Sequence, residues 1–421
     1  MVTFHPGRLH GSVGVPGDKS ISHRALIVGA RCNAPLRIAN LNPGRDVRAT
    51  HDALDALGIR IERLGDETVV HPGRLRSPAH TLDCMNSGST ARMLLGACAG
   101  AGISAHLDGD GSLRGRPMEP VAAQLRAFGA RIETTGGRLP LELRGRPAIE
   151  TRHFILLAPS AQVKSALLFA GLFAGVSVQI EGDRGSRDHT ERLLSYLGAE
   201  IEWNGRRASL GAGRLKGQTI AVAGDFSAAA FFATAAAITP ESAIVIAGAG
   251  VNPTRTGLLD ALALMGAAIE LRNPRSVAGE PVADVAVEHR PLTAATIGSD
   301  LALRAIDEIP LLAVAAAFAG GTTTIAGIES LRTKESDRVA AIERLLASVG
   351  IGVTSEARNL TIAGGAPRPS GATVATDDDH RIVMAAAILA CAAGPITVDR
   401  DASIAVSFPD FARSLARLQA V

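Results

Sequence analysis

Two α/β domains, each assembled from three repeated units around buried helices, are what this sequence predicts. Three observations carry that reading. The chain has 421 residues, an Ala-rich apolar segment recurs six times, and a polar helix closed by Gly alternates with it. The length exceeds what one ordinary core needs and suits two domains of about 200 residues each.

The apolar segments each follow a polar opening. Gly17-Asp18-Lys19-Ser20 precedes residues 25–30, Asn86-Ser87-Gly88-Ser89-Thr90 precedes 93–101, and Ser160-Ala161-Gln162 precedes 166–174. Asp225-Phe226-Ser227 precedes 228–238, Asp307-Glu308 precedes 310–319, and Asp377-Asp378-Asp379-His380 precedes 383–393. The openings recur at roughly 65 to 80 residues, the length of a supersecondary unit. Helices so apolar on every face belong inside a domain. The alternating segments, at 52–57, 121–128, 190–197, 256–265 and 339–349, are followed by Gly58, Gly129, Gly198, Gly266 and Gly350. Gly relieves left-handed strain at a helix C-terminus, and the β-branched tails after it start strands.

Composition narrows the function. Apolar residues make up 47%, aromatics only 3%, and there are 45 glycines, so the core rests on aliphatic side chains and close backbone approach. With 43 basic and 41 acidic residues the net charge is +2, without the basic excess of a nucleic-acid binder. Cys32, Cys84, Cys98 and Cys391 form no Cys-x-x-Cys pair, which argues against a disulfide framework or zinc site and for free thiols in a reducing cytoplasm. No apolar signal core opens the chain, and runs such as 382–394 fall short of the roughly 20 residues of a bilayer span. A soluble, cytoplasmic protein is expected, with no membrane or nucleic-acid partner.

The openings carry the chemistry. Asp, Ser, Asn and Thr cap helices, and a buried helix start combines orphan N–H donors with partial positive charge, which favours anions. Any one opening is equally well a plain cap. Cations nonetheless gather there, at Lys19, Arg24, Arg92, Lys164 and Arg381, and at the other helix starts, at Arg116, Arg187, Lys334 and Arg338, where they oppose the helix dipole unless an anion is bound. Within Lys334-Glu335-Ser336-Asp337-Arg338 the two cations stand four apart and are expected on one helix face, with Glu335 and Asp337 pointing elsewhere. Asp307 is either a cap or an acidic site residue.

These segments closely resemble the 5-enolpyruvylshikimate-3-phosphate synthase family of enolpyruvyl transferases, in order and over nearly the whole chain. The match runs through Pro16-Gly17-Asp18-Lys19-Ser20, Asn86-Ser87-Gly88-Ser89-Thr90-Ala91-Arg92, Gly115-Arg116-Pro117-Met118, Ser160-Ala161-Gln162-Val163-Lys164 and Ser186-Arg187-Asp188-His189-Thr190. It continues through Asp307-Glu308-Ile309-Pro310, Lys334-Glu335-Ser336-Asp337-Arg338, Asp379-His380-Arg381 and Ser407-Phe408-Pro409-Asp410. The resemblance implies a two-domain inside-out α/β barrel, each domain three βαβαββ units with buried helices. It implies a discontinuous domain of residues 1–16 and 224–421, and a second domain of residues 17–223 that binds shikimate 3-phosphate.

The implied reaction moves the enolpyruvyl group of phosphoenolpyruvate to the 5-hydroxyl of shikimate 3-phosphate and releases phosphate, by addition then elimination. Lys19, Asp307 and Glu335 are the implied catalytic residues. Lys19, Ser20, Arg24, Ser160, Ala161, Gln162, Arg187, Asp307 and Lys334 are the implied contacts to shikimate 3-phosphate. Lys19, Gly88, Arg116, Gln162, Arg338 and Arg381 are those to phosphoenolpyruvate, guanidinium forks suiting its phosphate and carboxylate. No cofactor or metal is implied, and the expected enzyme is a monomer.

The chain is similar to the second branch of the family. Val406 stands where the better-known branch has a Lys, so one phosphoenolpyruvate contact is missing or replaced. The alternative is the sister transferase that acts on UDP-N-acetylglucosamine. Its mobile loop carries a Cys, absent from residues 108–117 here, and its Lys-Asn is Lys19-Ser20. A non-catalytic binder of a phosphorylated metabolite does not need both Asp307 and Glu335.

Overall fold

The computed structural model describes residues 1–145 and 152–420. All six Ala-rich segments are helices: Lys19–Gly29, Gly88–Ala101, Ala161–Ala174, Phe226–Ile238, Ile309–Ala317 and His380–Ala393. Every residue of Phe226–Ile238 and of Ile309–Ala317 is buried, as helices without a polar face require.

Capping chemistry sets where five of them start. Asp18 accepts from the Ile21 N–H at 2.8 Å, Ser87 from Thr90 at 3.1 Å, and Ser160 from Val163 at 3.3 Å. Asp225 accepts from Ala228 at 3.2 Å and Asp379 from Arg381 at 2.9 Å. Each bond satisfies an orphan donor that burial hides from water. Ile309–Ala317 differs. Glu308 holds its cap position without a side-chain cap bond, and Pro310 removes one donor from the first turn. Asp307 therefore stands one residue outside the cap.

The polar helices Arg45–Ala56, Glu119–Ala127, His189–Tyr196, Gly257–Leu264 and Arg338–Ala347 alternate with these. The five glycines that follow them have φ between +76° and +108°, the left-handed region where a side chain is strained. One local expectation fails. Asp337 caps the helix Arg338–Ala347 by accepting from Val339 and Ala340 at 3.1 Å, so Lys334 lies before that helix and not on its face.

The protein is mixed α/β, and six small mixed sheets form among its described residues. Two compact units divide them: Met1–Pro16, Gly224–Arg275 and Pro281–Val421 in unit one, Gly17–Ala223 with Ser276–Glu280 in unit two. Unit two contains three four-stranded sheets of one design. In the order Leu82–Asp83, Ala105–Asp108, Arg138–Arg144, Arg131–Thr135, the first pair is parallel and the other two antiparallel. The sheets beginning with Arg152–Ile155 and with Thr219–Ala221 repeat this pattern. In unit one, Thr296–Ile297, Thr322–Ala326, Asn359–Ala363 and Gly352–Ser355 do the same.

Close backbone approach replaces aromatic bulk in unit two. A Cβ added at Gly96 or Gly100 of helix Gly88–Ala101 would lie 2.1 Å from the Ala166 or Ala170 carbonyl oxygen of helix Ala161–Ala174. In unit one the few rings concentrate instead: Phe231, Phe232, Phe408 and Phe411 meet at centroid distances of 5.6–6.0 Å. All four cysteines are buried free thiols, and burial pushes Cys32, Cys98 and Cys391 up to about 12.

A buried polar chain ties three helices of unit two together. His23 Nδ1 lies 2.7 Å from Thr50 Oγ1, which lies 2.7 Å from Thr90 Oγ1, whose hydroxyl donates to Ser87 Oγ at 2.7 Å. Burial holds His23 well below the ordinary histidine range, with Lys19 and Arg24 adding to the effect.

Two outcomes follow. Gly96→Ala destabilises by roughly 1–3 kcal/mol or more, because backbone rather than a side-chain tip must move; urea denaturation measures it. The unfolded chain protonates His23 near the ordinary value of 6.5, before the folded protein does. Its contribution to stability is thus complete above that pH and falls below it, by up to about 1.4 kcal/mol per pH unit. His23→Gln flattens that acid limb, read as ΔG against pH from about 6.5 to 4.5.

Candidate active site

In unit two the helix starts hold linked cations. Lys19, at the first turn of Lys19–Gly29, donates to Asp46 Oδ2 at 2.8 Å, both largely shielded from solvent. Arg24 is buried, which pulls it down to about 10. Its Nε, NH1 and NH2 donate to Thr190 Oγ1 (2.6 Å), the Ser20 carbonyl (2.8 Å) and Ser165 Oγ (2.8 Å). That uses three of the five N–H donors a guanidinium carries.

Gly88, Arg116 and Gln162 meet through a fourth residue, Arg92. Its NH1 donates to Gln162 Oε1 at 2.7 Å and its NH2 to the Pro117 carbonyl at 2.9 Å. Gln162 Nε2 reaches Ser89 Oγ at 3.0 Å, and Arg116 NH2 donates to Asn86 and to Ser112. A Cβ on Gly88 would lie 2.5 Å from Arg92 NH1 and 3.6 Å from Arg116 NH1. Glycine here leaves the helix N-terminus open between two guanidiniums. Ser160 caps the third helix of this unit, which Ala161 begins. Arg187, half-buried, follows the 183–186 turn and is close enough to Arg24 to lower its pKa.

Unit one gathers its charges around Asp307. Lys334 Nζ lies 3.8 Å from Asp307 Oδ1, Arg338 NH1 3.7 Å from Oδ1, and Arg381 NH2 3.7 Å from Oδ2. Lys334 thus joins Arg338 although it lies outside the helix. Arg338 is the most enclosed of these cations, at 1% side-chain exposure, and pairs with Glu335 at 2.7 Å and Asp379 at 2.8 Å. Burial opposes its charge, but Asp379, Glu335 and Asp307 more than offset this and raise its pKa above the ordinary value. Asp379 serves twice, as helix cap and as counter-ion. Asp46, Glu308, Arg255 and Ser227 take part in these clusters without a site role expected from the sequence, and Arg92, expected there only as a cation near an opening, joins them. Glu308 and Ser227 lie within openings and Arg92 beside one, whereas Asp46 and Arg255 pair across 27 and 53 residues and carry no local signal.

What these clusters can do is bind anions and move protons: guanidiniums and an ammonium at helix starts, with carboxylates in contact. Comparison with known proteins gives them a family. The family model for EPSP synthase (3-phosphoshikimate 1-carboxyvinyltransferase) matches residues 4–415. The chain belongs to the EPSP synthase family. It is 46% identical to the 3-phosphoshikimate 1-carboxyvinyltransferase of Gloeobacter violaceus, across 98% of this chain and 97% of that one. It is 43% identical to the enzyme of the same description from Geobacillus kaustophilus, across 97% and 98%. The EPSP synthase structure from Acinetobacter baumannii superimposes with a TM-score of 0.86 at 36% identity, covering 99% and 98%. The Streptomyces tendae enolpyruvyl transferase NikO, at 19% identity and a TM-score of 0.80, shares the fold.

The activity is that of EPSP synthase, a transferase of the shikimate pathway. Among the described residues no group of three or more His, Cys, Asp or Glu could hold a metal ion, and no helix is long and apolar enough to cross a membrane. One further feature supports the helix that Ser160 caps. Lys164, buried in its first turns, forms ion pairs of 2.7 Å with both Asp183 and Glu191. Asp183 also accepts from the backbone of Arg184 and from Ser186, folding the turn that leads to Arg187. Burial opposes the Lys164 charge, but Glu191 and Asp183 raise its pKa above the ordinary lysine value. Lys164→Met leaves two buried carboxylates without their cation and costs roughly 3–5 kcal/mol, measurable by chemical denaturation.

Proposed function

We propose that Asp307 is the base toward the 5-hydroxyl of shikimate 3-phosphate, and that the cations around it hold anionic groups of the substrates. The observation behind this is the placement of Lys334, Arg338 and Arg381 at 3.7–3.8 Å from one carboxylate. Those are ion-pair distances longer than a direct hydrogen bond. Cations gathered there attract an arriving anion, and the carboxylate among them is the group placed to accept a proton.

In this reading Arg338 and Arg381 serve phosphoenolpyruvate together with Lys19, Gly88, Arg116 and Gln162. Lys19, Ser20, Arg24, Ser160, Ala161, Gln162, Arg187, Asp307 and Lys334 serve shikimate 3-phosphate, which the domain of residues 17–223 mainly holds. The 5-oxygen bonds the enol carbon as its proton leaves, and the methylene carbon takes up a proton. The tetrahedral intermediate then loses phosphate and a methyl proton, restoring the double bond. Lys19 and Glu335 carry the remaining proton transfers. Each domain is read as an inside-out barrel of three βαβαββ units, with residues 1–16 and 224–421 forming the other domain. The four free buried cysteines support a reducing, cytoplasmic setting. A monomer completes the reading, and light scattering at the chain mass of 43.3 kDa tests it.

Asp307→Asn keeps the shape and removes the base. Expected is a fall in kcat of roughly 10²–10⁴-fold, with smaller changes in KM, measured as phosphate released from phosphoenolpyruvate with shikimate 3-phosphate. A kcat within a few-fold of the parent protein removes Asp307 from the proton step.

A further inference from the structure

The Arg381 guanidinium has a support of its own, and it is built from residues to which no role has been given. Glu308 sits at the cap position of Ile309–Ala317 yet makes no cap bond, and it is 0% exposed. Its carboxylate turns into a cluster. Ser227 Oγ donates to Oε1 at 2.6 Å, Arg255 NH1 donates to Oε2 at 2.7 Å, and Arg381 NH1 approaches Oε1 at 3.3 Å. The Ser227 hydroxyl in turn accepts from Arg381 NH2 at 3.0 Å and from Arg255 NH2. Arg381 NH1 also donates to the Asp307 carbonyl at 2.9 Å. Arg255 is fixed from another side, its guanidinium 5.6 Å from the centre of the Phe226 ring.

We propose that Glu308 is a positioning residue which, with Ser227 and Arg255, fixes the plane of the Arg381 guanidinium before substrate arrives. Both nitrogens of the Arg381 fork are anchored on their inner side, which sets the direction of the N–H groups that remain. A guanidinium fixed in this way loses little side-chain freedom when it grips an anion. The inference rests on the reading that Arg381 contacts phosphoenolpyruvate.

The sign of the effect separates positioning from charge. If Glu308 merely offset positive charge, its neutral isostere would leave the anion site more positive and phosphoenolpyruvate would bind more tightly. If Glu308 holds the plane, the isostere weakens binding. A glutamine amide offers one accepting oxygen where the carboxylate serves three donors, so an NH₂ group meets a guanidinium.

The test is steady-state kinetics of Glu308→Gln, Arg381→Lys and the double variant, with both substrates varied and thermal melting followed in parallel. Expected for Glu308→Gln is a rise of roughly tenfold in KM for phosphoenolpyruvate, the scale of a lost buried partner, with KM for shikimate 3-phosphate within about twofold. In the Arg381→Lys background the same change adds little, because both act through one guanidinium. Ser227→Ala, a smaller change, moves the same KM in the same direction. An unchanged or lower KM for phosphoenolpyruvate in Glu308→Gln overturns the proposal. So does a parallel rise in both KM values that multiplies with Arg381→Lys, which marks a purely structural role. An Arg381→Lys protein with unaltered KM for phosphoenolpyruvate overturns the assignment of Arg381 itself, an outcome read from that single variant alone.

Discussion

A helix that is apolar all round can meet polar chemistry only at its ends, and burial obliges its first-turn N–H groups to find partners there. That requirement organises both units. Asp18, Ser87, Ser160, Asp225 and Asp379 answer it directly, each accepting from the start of its own helix. The polar side chains that a buried core would otherwise exclude are thereby concentrated at a few places. The same places carry Lys19, Gly88, Gln162, Ser227 and Arg381. Where a helix is packed too closely for side chains, as at Gly96 and Gly100, the sequence narrows to glycine; where it begins, the sequence widens to chemistry.

Charge in the cluster around Asp307 and Glu308 is self-compensating. Arg255, Lys334, Arg338 and Arg381 are linked with Asp307, Glu308, Glu335 and Asp379, a balance of four against four. Buried ions without counter-ions are too costly to hold in a low-dielectric interior. Affinity for an anion therefore has to come from the aim of donors rather than from surplus positive charge. Arg338, enclosed and paired twice, is the fixed point of the cluster. Lys334, at 31% exposure, is its most accessible cation.

Capping is local, so the starts of five buried helices could be read from Asp and Ser in the openings, and the glycine stops from Gly58, Gly129, Gly198, Gly266 and Gly350. Pairing is not local. Asp46 reaches Lys19 across 27 residues, and Arg255 reaches Glu308 across 53. Nothing in the Asp307-Glu308 dipeptide distinguishes the carboxylate ringed by cations from the one locked beneath Arg381. The Lys334 to Arg338 spacing misled because Asp337 claims the cap and shortens the helix. Gly96 and Gly100 announce close approach within an apolar run, but not which helix approaches.

The cysteines turn the core into its own reporter. Thiolates are the reactive form, and burial holds Cys32, Cys98 and Cys391 at about 12, far above neutral pH. A thiol reagent can modify them appreciably only when their surroundings open. Cys32, Cys84 and Cys98 lie in one unit and Cys391 in the other. Labelling followed by peptide mass mapping therefore times the opening of each unit separately in a single native chain.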